Sequence, residues 1–560
     1  MFGRNREVLQ AGIVIAITAA YQYICATHGF DLTDEGHLMS AYQWFGTDPS
    51  ACRCGSGYPL SCLLGWLCLS VWPQGGILWM RICGILLVVL TEIIAYRFLS
   101  RYFNRYLVLV GIALSAIFVA GDPKPFGYNT LSGLFAVISV VLAVRSGEGK
   151  VWLPALAGGV VAGVSVFLRL PNVCYLAFAA IPLFFITKED WKGPLARAFI
   201  FAGGFVAGLS AAGVAVKAAG ADVLVKEFLG SIVSTLGGGS SHSSGSMLST
   251  YVGNYARAFF CACTLLFCIR FCGWASRKSK VMYFVAVLLL MFFGYRYLYI
   301  SSHLLGEELV TVFNGIALVG VALMFESKAE AGKLRIAMAA LFSSLVIPLG
   351  SDLGFRTMWV GCWLALPVGI CGFYDYFSDR RERFAYVAFL VALLVVAVVK
   401  IDHKPYYDPG ARSEKKYEIN SAYAKGIKTV QKKAVIVNEL LAALEDYVKE
   451  GDELLVYDFS PTINYLTGTK PFAGVSWPCV LYGQRYVRAV AAAEAAGSRP
   501  VAVIQHFNCC NGWRNIDEGY FVDGRTREER QMTAAVMGFI HRNGYRSVWT
   551  NGYFEILVAE

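Results

Sequence analysis

Residues 8–27 read VLQAGIVIAITAAYQYICAT, and residues 28–37, which follow directly, read HGFDLTDEGH. The first stretch is an uncharged run about as long as a helix needs to cross a hydrocarbon core of roughly 30 Å. It has no small-residue cleavage signal, so we predict a retained membrane helix and not a signal peptide. The junction of the two stretches therefore combines a membrane boundary with three carboxylates and a histidine.

Apolar runs of similar length recur through roughly the first 400 residues. Apolar residues make up 56% of the chain and charged residues 16%, where soluble domains carry about 25% charged residues, and the mean hydropathy is +0.53. We predict a polytopic α-helical membrane protein with about 13 transmembrane helices. The predicted spans are residues 8–27, 77–97, 106–121, 128–144, 152–168, 172–187, 195–216, 252–273, 281–299, 308–325, 335–350, 357–374 and 384–401.

Short loops between these runs alternate in charge. The net charge is +10, and most of the excess lies in short basic loops and in the N-terminal segment. The positive-inside rule makes the N-terminus cytoplasmic and everything after residue 400 extracytoplasmic. Residues 58–72 are also apolar, but they are short and lie between prolines, so we predict a helix in the outer interface. The pattern predicts a multi-pass protein of the inner (plasma) membrane and argues against a nucleic-acid partner.

The chain changes character near residue 402. Strands are predicted at residues 452–458, 500–506 and 553–559, and helices at residues 434–449 and 485–496. Alternating strands and helices predict a soluble extracytoplasmic α/β domain. The predicted organisation is a transmembrane domain at 1–401, with a first outside loop at 28–76 and a flexible outside loop at 218–251 around the glycine- and serine-rich segment 237–245, followed by the soluble domain at 402–560.

The chain contains 16 cysteines, many of them inside apolar runs, where cysteine acts as a small hydrophobe. Cys52 with Cys54, and Cys509 with Cys510, lie in polar segments. Neither pattern has zinc-ligand spacing, so the disulfide state of these four residues stays open.

The acidic segment after the first span carries the first candidate site. Asp34 and Glu35 form a carboxylate pair at a membrane edge, where desolvation and mutual repulsion suit one of them to general base catalysis. Together with Asp31 and His37 they also offer ligands for one divalent cation. The alternative is an acidic helix N-terminus, which the helix dipole favours without any function. Asp122 opens the next outside loop, although an Asp before Pro also suits a turn.

Basic residues at outer span ends complement these acids. Arginine matches phosphate geometry in a bidentate way, although an arginine in this position also commonly anchors a helix among lipid headgroups. The candidates for binding a lipid phosphate are Arg169, Arg296, His303 and Arg356. Acids and basic residues together predict a site at the outer interface that holds a lipid phosphate and activates a hydroxyl.

Four features resemble the GT-C superfamily of lipid-phosphate-sugar glycosyltransferases, which includes protein O-mannosyltransferases and bacterial lipid A aminoarabinose transferases. They are the Asp34-Glu35 pair, Asp122, the glycine-rich run 157–169 that ends in Arg169, and residues 457–468, which resemble a strand–turn–helix element of the bacterial soluble domains. The sequence departs from the family at Gly36, where an aromatic residue often follows the acidic pair. The sequon-recognition motif of oligosaccharyltransferases has no match here.

The resemblance implies an inverting glycosyltransferase that takes a sugar from polyprenyl phosphate at the outer face of the bilayer. It implies that Asp34 is the base, and Glu35 and Asp122 would then orient the acceptor or a cation. Arg169 and Arg356, with Arg296 or His303, would neutralise the phosphate. The acceptor stays open among glycan, lipid and protein, and a divalent metal ion is the one cofactor considered.

Other classes of protein make different demands on the sequence. A transporter or flippase of lipid-linked saccharides needs ionisable residues at the midplane or paired repeats, and neither is evident. A membrane acyltransferase usually needs a buried histidine inside a span, and no span contains one. A receptor role for the soluble domain stays compatible with the sequence.

Overall fold

Most of the described residues up to residue 403 of the computed structural model form helices, many of them long and apolar. The structure describes residues 2–120, 126–149, 151–236, 244–285, 288, 307–351, 354, 362–377, 380–403, 408, 410–478, 480–481, 483–508, 515–519 and 526–560. Within these residues, 8 helices are long and apolar enough to cross a membrane, and shorter apolar helices accompany them. The predicted fold class, a polytopic α-helical membrane protein with a C-terminal α/β domain, is confirmed.

Most of the helices that match a predicted span begin and end within a few residues of its boundaries. In chain order they start with α1 (Phe2–Ala26), α2 (Asp34–Trp44), α3 (Pro59–Val71), α4 (Gly76–Leu99), α5 (Arg105–Ala120), α6 (Tyr128–Glu148), α7 (Leu153–Leu168), α8 (Lys192–Ala218), α9 (Asp222–Leu236) and α10 (Ser244–Lys278). Further helices are Glu307–Glu326, Ala331–Val346, Cys362–Tyr376 and Arg380–His403. The predicted span 172–187 differs, because Leu170–Phe185 forms a 3-10 helix with Pro182 inside it. The predicted span 281–299 lies mostly outside the described residues.

The segment 218–251, predicted as a flexible loop, contains two stretches of helix. Asp222–Leu236 forms α9, and α10 begins at Ser244 instead of near residue 252. Leu224 and Phe228, one helical turn apart on α9, are both buried, and this apolar face explains why the helix forms. Residues 237–243, which hold most of the glycine- and serine-rich segment, lie outside the described residues.

The glycine-rich run in α7 allows close packing against α8. A Cβ added to Gly159 or to Gly163 would lie 2.0 Å from a carbonyl oxygen of α8. On α8, a Cβ at Gly204 or at Gly208 would lie 2.4 Å or 2.2 Å from a carbonyl oxygen of α7. Both helices therefore carry small residues four apart at their contact. This packing positions the C-terminal end of α7, where Arg169 follows the last helical residue.

The C-terminal domain is built on a mixed sheet of five strands. In spatial order these are β4 (Lys470–Pro471), β3 (Glu453–Tyr457), β5 (Val501–Gln505), β9 (Phe554–Ala559) and β8 (Tyr545–Thr550). β4, β3 and β5 are parallel, whereas β9 is antiparallel to both β5 and β8. Two short antiparallel pairs join β1 (Tyr417–Glu418) to β2 (Lys428–Thr429) and β6 (Phe507–Asn508) to β7 (Asn515–Gly519). The domain's helices are Gln431–Leu444, Thr462–Thr467, Gln484–Ala495 and Arg527–Arg542.

The three predicted strands correspond to β3, β5 and β9, and are confirmed. The edge strands β4 and β8, and the helix Arg527–Arg542, were not predicted. Both edge strands lack a run of buried residues: β4 has two residues, and β8 has no fully buried position. The periodicity that marks a buried strand is therefore absent from them.

The C-terminal domain forms hydrogen bonds with the acidic segment after α1, residues 28–37. Thr462, which begins the helix after β3, donates from Oγ1 to the Asp31 carbonyl at 2.9 Å. Lys433 donates from Nζ to the Phe30 carbonyl at 2.5 Å, and its ammonium pairs with the buried carboxylate of Asp408. These long-range contacts hold the start of α2 close to the carboxyl end of β3.

Candidate active site

Asp31 holds the N-terminus of α2. One carboxylate oxygen accepts from the Thr33 backbone N–H at 2.8 Å and from its Oγ1 at 2.6 Å, and the other accepts from the Glu35 backbone N–H at 2.9 Å. The carboxylate is buried, and burial together with the nearby charge of Asp34 raises the pKa of Asp31 above its usual range. This geometry gives Asp31 a structural role. Both of its carboxylate oxygens already accept hydrogen bonds, so Asp31 is poorly suited to bind a cation.

Glu35 forms a buried bidentate ion pair with Arg81 of α4. Both nitrogen–oxygen distances are 2.6 Å, and the two side chains are 3–4% exposed. The same guanidinium donates to the carbonyl oxygens of Ala26 at 2.5 Å and Gly29 at 2.9 Å. Glu35 was predicted to orient the acceptor or a cation. The contacts favour a different role, in which Glu35 and Arg81 together fasten the end of α1 and the start of α2 to α4.

His37 is buried and engaged at both ring nitrogens. Nδ1 lies 3.1 Å from Ser476 Oγ, and Nε2 is hydrogen-bonded to the Tyr58 hydroxyl. Burial lowers the pKa of His37 to about 4, against a smaller opposing effect of the Asp34 charge, so the imidazole is neutral near pH 7. With its nitrogens occupied, His37 is poorly suited to the cation site predicted for it. Among the residues that the structure describes, no group of three or more His, Cys, Asp and Glu side chains has the arrangement of a metal site.

Asp34 differs from these neighbours in its exposure. It occupies the first turn of α2 and is half-buried, whereas Asp31, Glu35 and His37 are buried. Its charge influences the pKa of both Asp31 and His37, which places the carboxylate near each of them. A half-exposed carboxylate with a second carboxylate beside it is suited to take a proton from a ligand hydroxyl.

An aromatic cluster connects α2 with Arg169. The His37 and Tyr58 rings meet edge to face at 5.8 Å between centroids, and Tyr58 packs on Tyr128 at 4.8 Å. The Arg169 guanidinium lies over the Tyr128 ring at 5.9 Å and donates to Ser351 Oγ at 3.3 Å. One predicted phosphate-binding residue, Arg169, and His37, which lies one helical turn after Asp34, therefore border a single cluster.

Several predicted site residues lie outside the part of the chain that the structure describes. They are Asp122, Arg296, His303 and Arg356, and the same applies to Cys509 and Cys510. Cys52 and Cys54 are described, and both are buried free thiols.

Sequence reasoning missed the partners of the acidic segment. The role of Arg81 could have been predicted, because an arginine inside an apolar run needs a counter-charge. The nearest acids on the outside follow the preceding span. Tyr58, Tyr128 and Ser476 carried no such signal, because their role depends on which distant segments meet.

The fold and the site define a class: a multi-pass membrane protein whose acidic helix, at the end of its first span, is packed against a C-terminal α/β domain. No protein-family model matches the chain, and no curated protein sequence matches it.

Several solved structures are similar to this chain, and two of them are described next. ArnT from Cupriavidus metallidurans, crystallised with undecaprenyl phosphate, shares 12% identity over 97% of both chains, with a TM-score of 0.45. Arabinosyltransferase EmbB from Mycobacterium smegmatis shares 13% identity over 70% of this chain and 41% of its own length, with a TM-score of 0.31. An aminoarabinose transferase and an arabinosyltransferase are thus among the structural neighbours. At TM-scores below 0.5, the likeness identifies no residue and no substrate of this chain.

Proposed function

We propose that this chain is a membrane glycosyltransferase that moves a sugar from a polyprenyl-phosphate donor to an acceptor hydroxyl. The reaction takes place on the extracytoplasmic side, with the N-terminus in the cytoplasm. The observation that carries the proposal is the half-buried carboxylate of Asp34, whose charge acts on buried Asp31 and on His37. His37 begins the chain of ring contacts through Tyr58 and Tyr128 that ends at Arg169. Transfer from a lipid phosphate requires two groups: a base, and a positively charged side chain that binds the phosphate.

In the proposed reaction, the Asp34 carboxylate takes the proton of the acceptor hydroxyl. The acceptor oxygen forms a bond to the anomeric carbon while the bond from that carbon to the phosphate oxygen breaks. Polyprenyl phosphate leaves with the electron pair, and attack from the opposite face inverts the anomeric centre. The Arg169 guanidinium offsets the negative charge that develops on the phosphate.

Among the residues that the structure describes, Glu92 of α4 is a buried acid within a predicted span, which is the kind of residue that a transporter would need. Its carboxylate is fully buried and accepts hydrogen bonds from Thr18 at 2.9 Å and Gln22 at 3.3 Å, both on α1. Such bonds are typical of polar contacts between packed membrane helices. Glu92 is accounted for by the pairing of α1 with α4, and it adds no support for transport.

Replacing Asp34 by Asn tests the proposal directly. Purified protein in nanodiscs is assayed for release of undecaprenyl phosphate from a panel of undecaprenyl-phosphate-linked pentoses and hexoses, with glycan, lipid and peptide acceptors. We expect D34N to lose about 100-fold or more of the wild-type transfer rate, because general base catalysis typically contributes that much. The matched control is D446N, which changes an exposed acid of the soluble domain. Full turnover by D34N would remove Asp34 from the mechanism.

The same assay addresses the divalent cation. Asp31, Glu35 and His37 are engaged by Thr33, Arg81 and Ser476 respectively, so we propose that transfer proceeds without a cation at these residues. We expect the rate to stay within about twofold after EDTA treatment and after addition of Mg²⁺ or Mn²⁺, since no ligand set of the required number is left there. Loss of activity in EDTA, restored by one of these metals, would contradict this expectation.

A further inference from the structure

The soluble domain contributes an aromatic residue to the surroundings of Asp34. Trp477 is half-buried, and its indole meets the His37 imidazole edge to face at 5.7 Å and the Phe459 ring at 6.2 Å. Its backbone is also held from the first outside loop, because the Cys54 thiol lies 3.7 Å from the Trp477 carbonyl. The indole therefore contacts α2 at His37, one helical turn after Asp34.

The indole N–H of Trp477 is a second observation at this place. Nε1 is buried and has no hydrogen-bond partner among the residues described. Burying a donor without a partner is unfavourable, and tryptophan N–H groups usually find a partner when they are buried. A ligand that brings a hydroxyl oxygen to this position removes that cost.

We propose that Trp477 forms part of a glycosyl-binding subsite beside Asp34. A sugar ring packs its C–H face on the indole, and one ring hydroxyl accepts a hydrogen bond from Nε1. Apolar aromatic faces combined with a few placed polar groups are the usual lining of small-molecule sites. The inference rests on the proposed function and adds to it, because it assigns part of the sugar recognition to the soluble domain. The ring belongs to the donor or to the acceptor, and the experiment distinguishes the two.

The experiment uses the full chain in nanodiscs and compares W477A and W477F with wild type. The matched control is W549A, which removes another half-buried tryptophan of the same domain, on edge strand β8. Affinities are measured for undecaprenyl phosphate without a sugar and for undecaprenyl-phosphate-linked pentoses and hexoses. The Michaelis constant for glycan acceptors is measured in parallel, and thermal unfolding reports on folding.

If the donor ring occupies the subsite, W477A weakens binding of the best sugar-bearing lipid by about tenfold or more, a change of about 1.4 kcal/mol. Binding of sugar-free undecaprenyl phosphate stays within about twofold in the same variant. If the acceptor ring occupies it, the tenfold change falls on the acceptor KM instead. W477F, which keeps a ring and loses the N–H, shows a smaller loss, and W549A changes neither quantity.

A purely structural role for Trp477 predicts other results. Equal losses of affinity for the lipid with and without its sugar, or a lower unfolding temperature with unchanged sugar discrimination, would overturn the subsite.

The experiment also separates the subsite from the proposed function. If wild type transfers sugar and D34N does not, while W477A keeps the wild-type lipid affinity and acceptor KM, the subsite fails and the proposed function stands. If wild type binds glycosyl lipids in a Trp477-dependent way without transferring sugar, the proposed function fails and the subsite stands. If wild type binds no glycosyl lipid and no acceptor, both fail.

Discussion

Asp34 and Glu35 are neighbours in the chain, yet they face different surroundings. Successive residues of an α-helix project about 100° apart, so when Glu35 points at α4 its neighbour points elsewhere. Glu35 meets a guanidinium that is also buried, and Asp34 keeps partial access to solvent. The helix geometry thus separates an anchoring acid from a candidate base within two residues.

The Glu35–Arg81 pair leads to a prediction about stability. E35Q should lower the free energy of unfolding by about 3–5 kcal/mol, because it leaves a buried guanidinium without its counter-charge. E326Q is the matched control, since it breaks a bidentate pair of Glu326 with Arg270 that is about half exposed. We expect this control to change the free energy of unfolding far less than E35Q does, because solvent screens an exposed ion pair. Chemical unfolding in detergent measures both, and equal effects would contradict the buried role.

His37 leads to a prediction about pH. Its pKa is about 4 in the folded protein, below the usual 6.5. Between these two pH values, His37 is protonated in the unfolded chain and neutral in the folded protein. Stability contributed by neutral His37 should be complete above pH 6.5 and fall by about 1.4 kcal/mol per pH unit towards pH 4. H37Q should flatten this part of the stability profile, and H541Q, which changes an exposed histidine, should not. An unchanged slope in H37Q would show that other groups cause the acid sensitivity.

At the scale of elements, α9 is tied to two other parts of the molecule through Glu227. One carboxylate oxygen lies 2.7 Å from Arg53 of the first outside loop, and the other lies 2.5 Å from Arg485 of the soluble domain. Arg485 also donates to Ser231, one turn further along α9, at 3.2 Å. The helix α9 thus connects the first outside loop with the soluble domain.

We expect E227Q to loosen α9. The substitution weakens two charge-assisted hydrogen bonds, each worth about 1.5–3 kcal/mol, so amide exchange across residues 222–236 should speed up by about tenfold or more. D222N is the control on the same helix, because Asp222 is exposed and lies 3.7 Å from Lys217. Hydrogen-exchange mass spectrometry measures both variants. Exchange in E227Q no faster than in D222N would contradict a tethering role for Glu227.

At the scale of the whole molecule, Gly36 sets the contact between α2 and the soluble domain. A Cβ at this position would lie 1.9 Å from Thr462 Oγ1 and 2.1 Å from its Cα, so no side-chain rotation relieves the overlap. The requirement for this close approach gives a physical reason for glycine at residue 36.

G36A should therefore separate α2 from the soluble domain. We expect a lower unfolding temperature and a loss of sugar transfer of about tenfold or more, since a displacement of 1 Å in a catalytic group can cost that much. G12A, on α1, is the control, because a Cβ there meets nothing within 4 Å. Wild-type activity in G36A would show that the two parts need not touch for function.

The sequence predicts the helices and misses the contacts of the site, for one physical reason. A membrane helix is encoded locally, so the predicted span 77–97 lies within three residues of α4 at both ends. The site depends on segments far apart in the chain: His37 and Ser476 are 439 residues apart. Asp34 could be predicted as a candidate because an acid directly after a membrane span stands out in the local sequence. Trp477 could not, because nothing local distinguishes it from a core tryptophan.

The long-range contacts that hold the start of α2 also set an order of assembly during biosynthesis. Phe30, Asp31 and His37 leave the ribosome early, and their partners in the soluble domain follow 403, 431 and 439 residues later. A nascent chain can insert its first helices while this acidic turn still lacks every one of these three contacts. The acid site is completed only after translation has passed residue 476 and that last stretch has folded back. Partly made chains in the bilayer therefore carry the acids without the finished site.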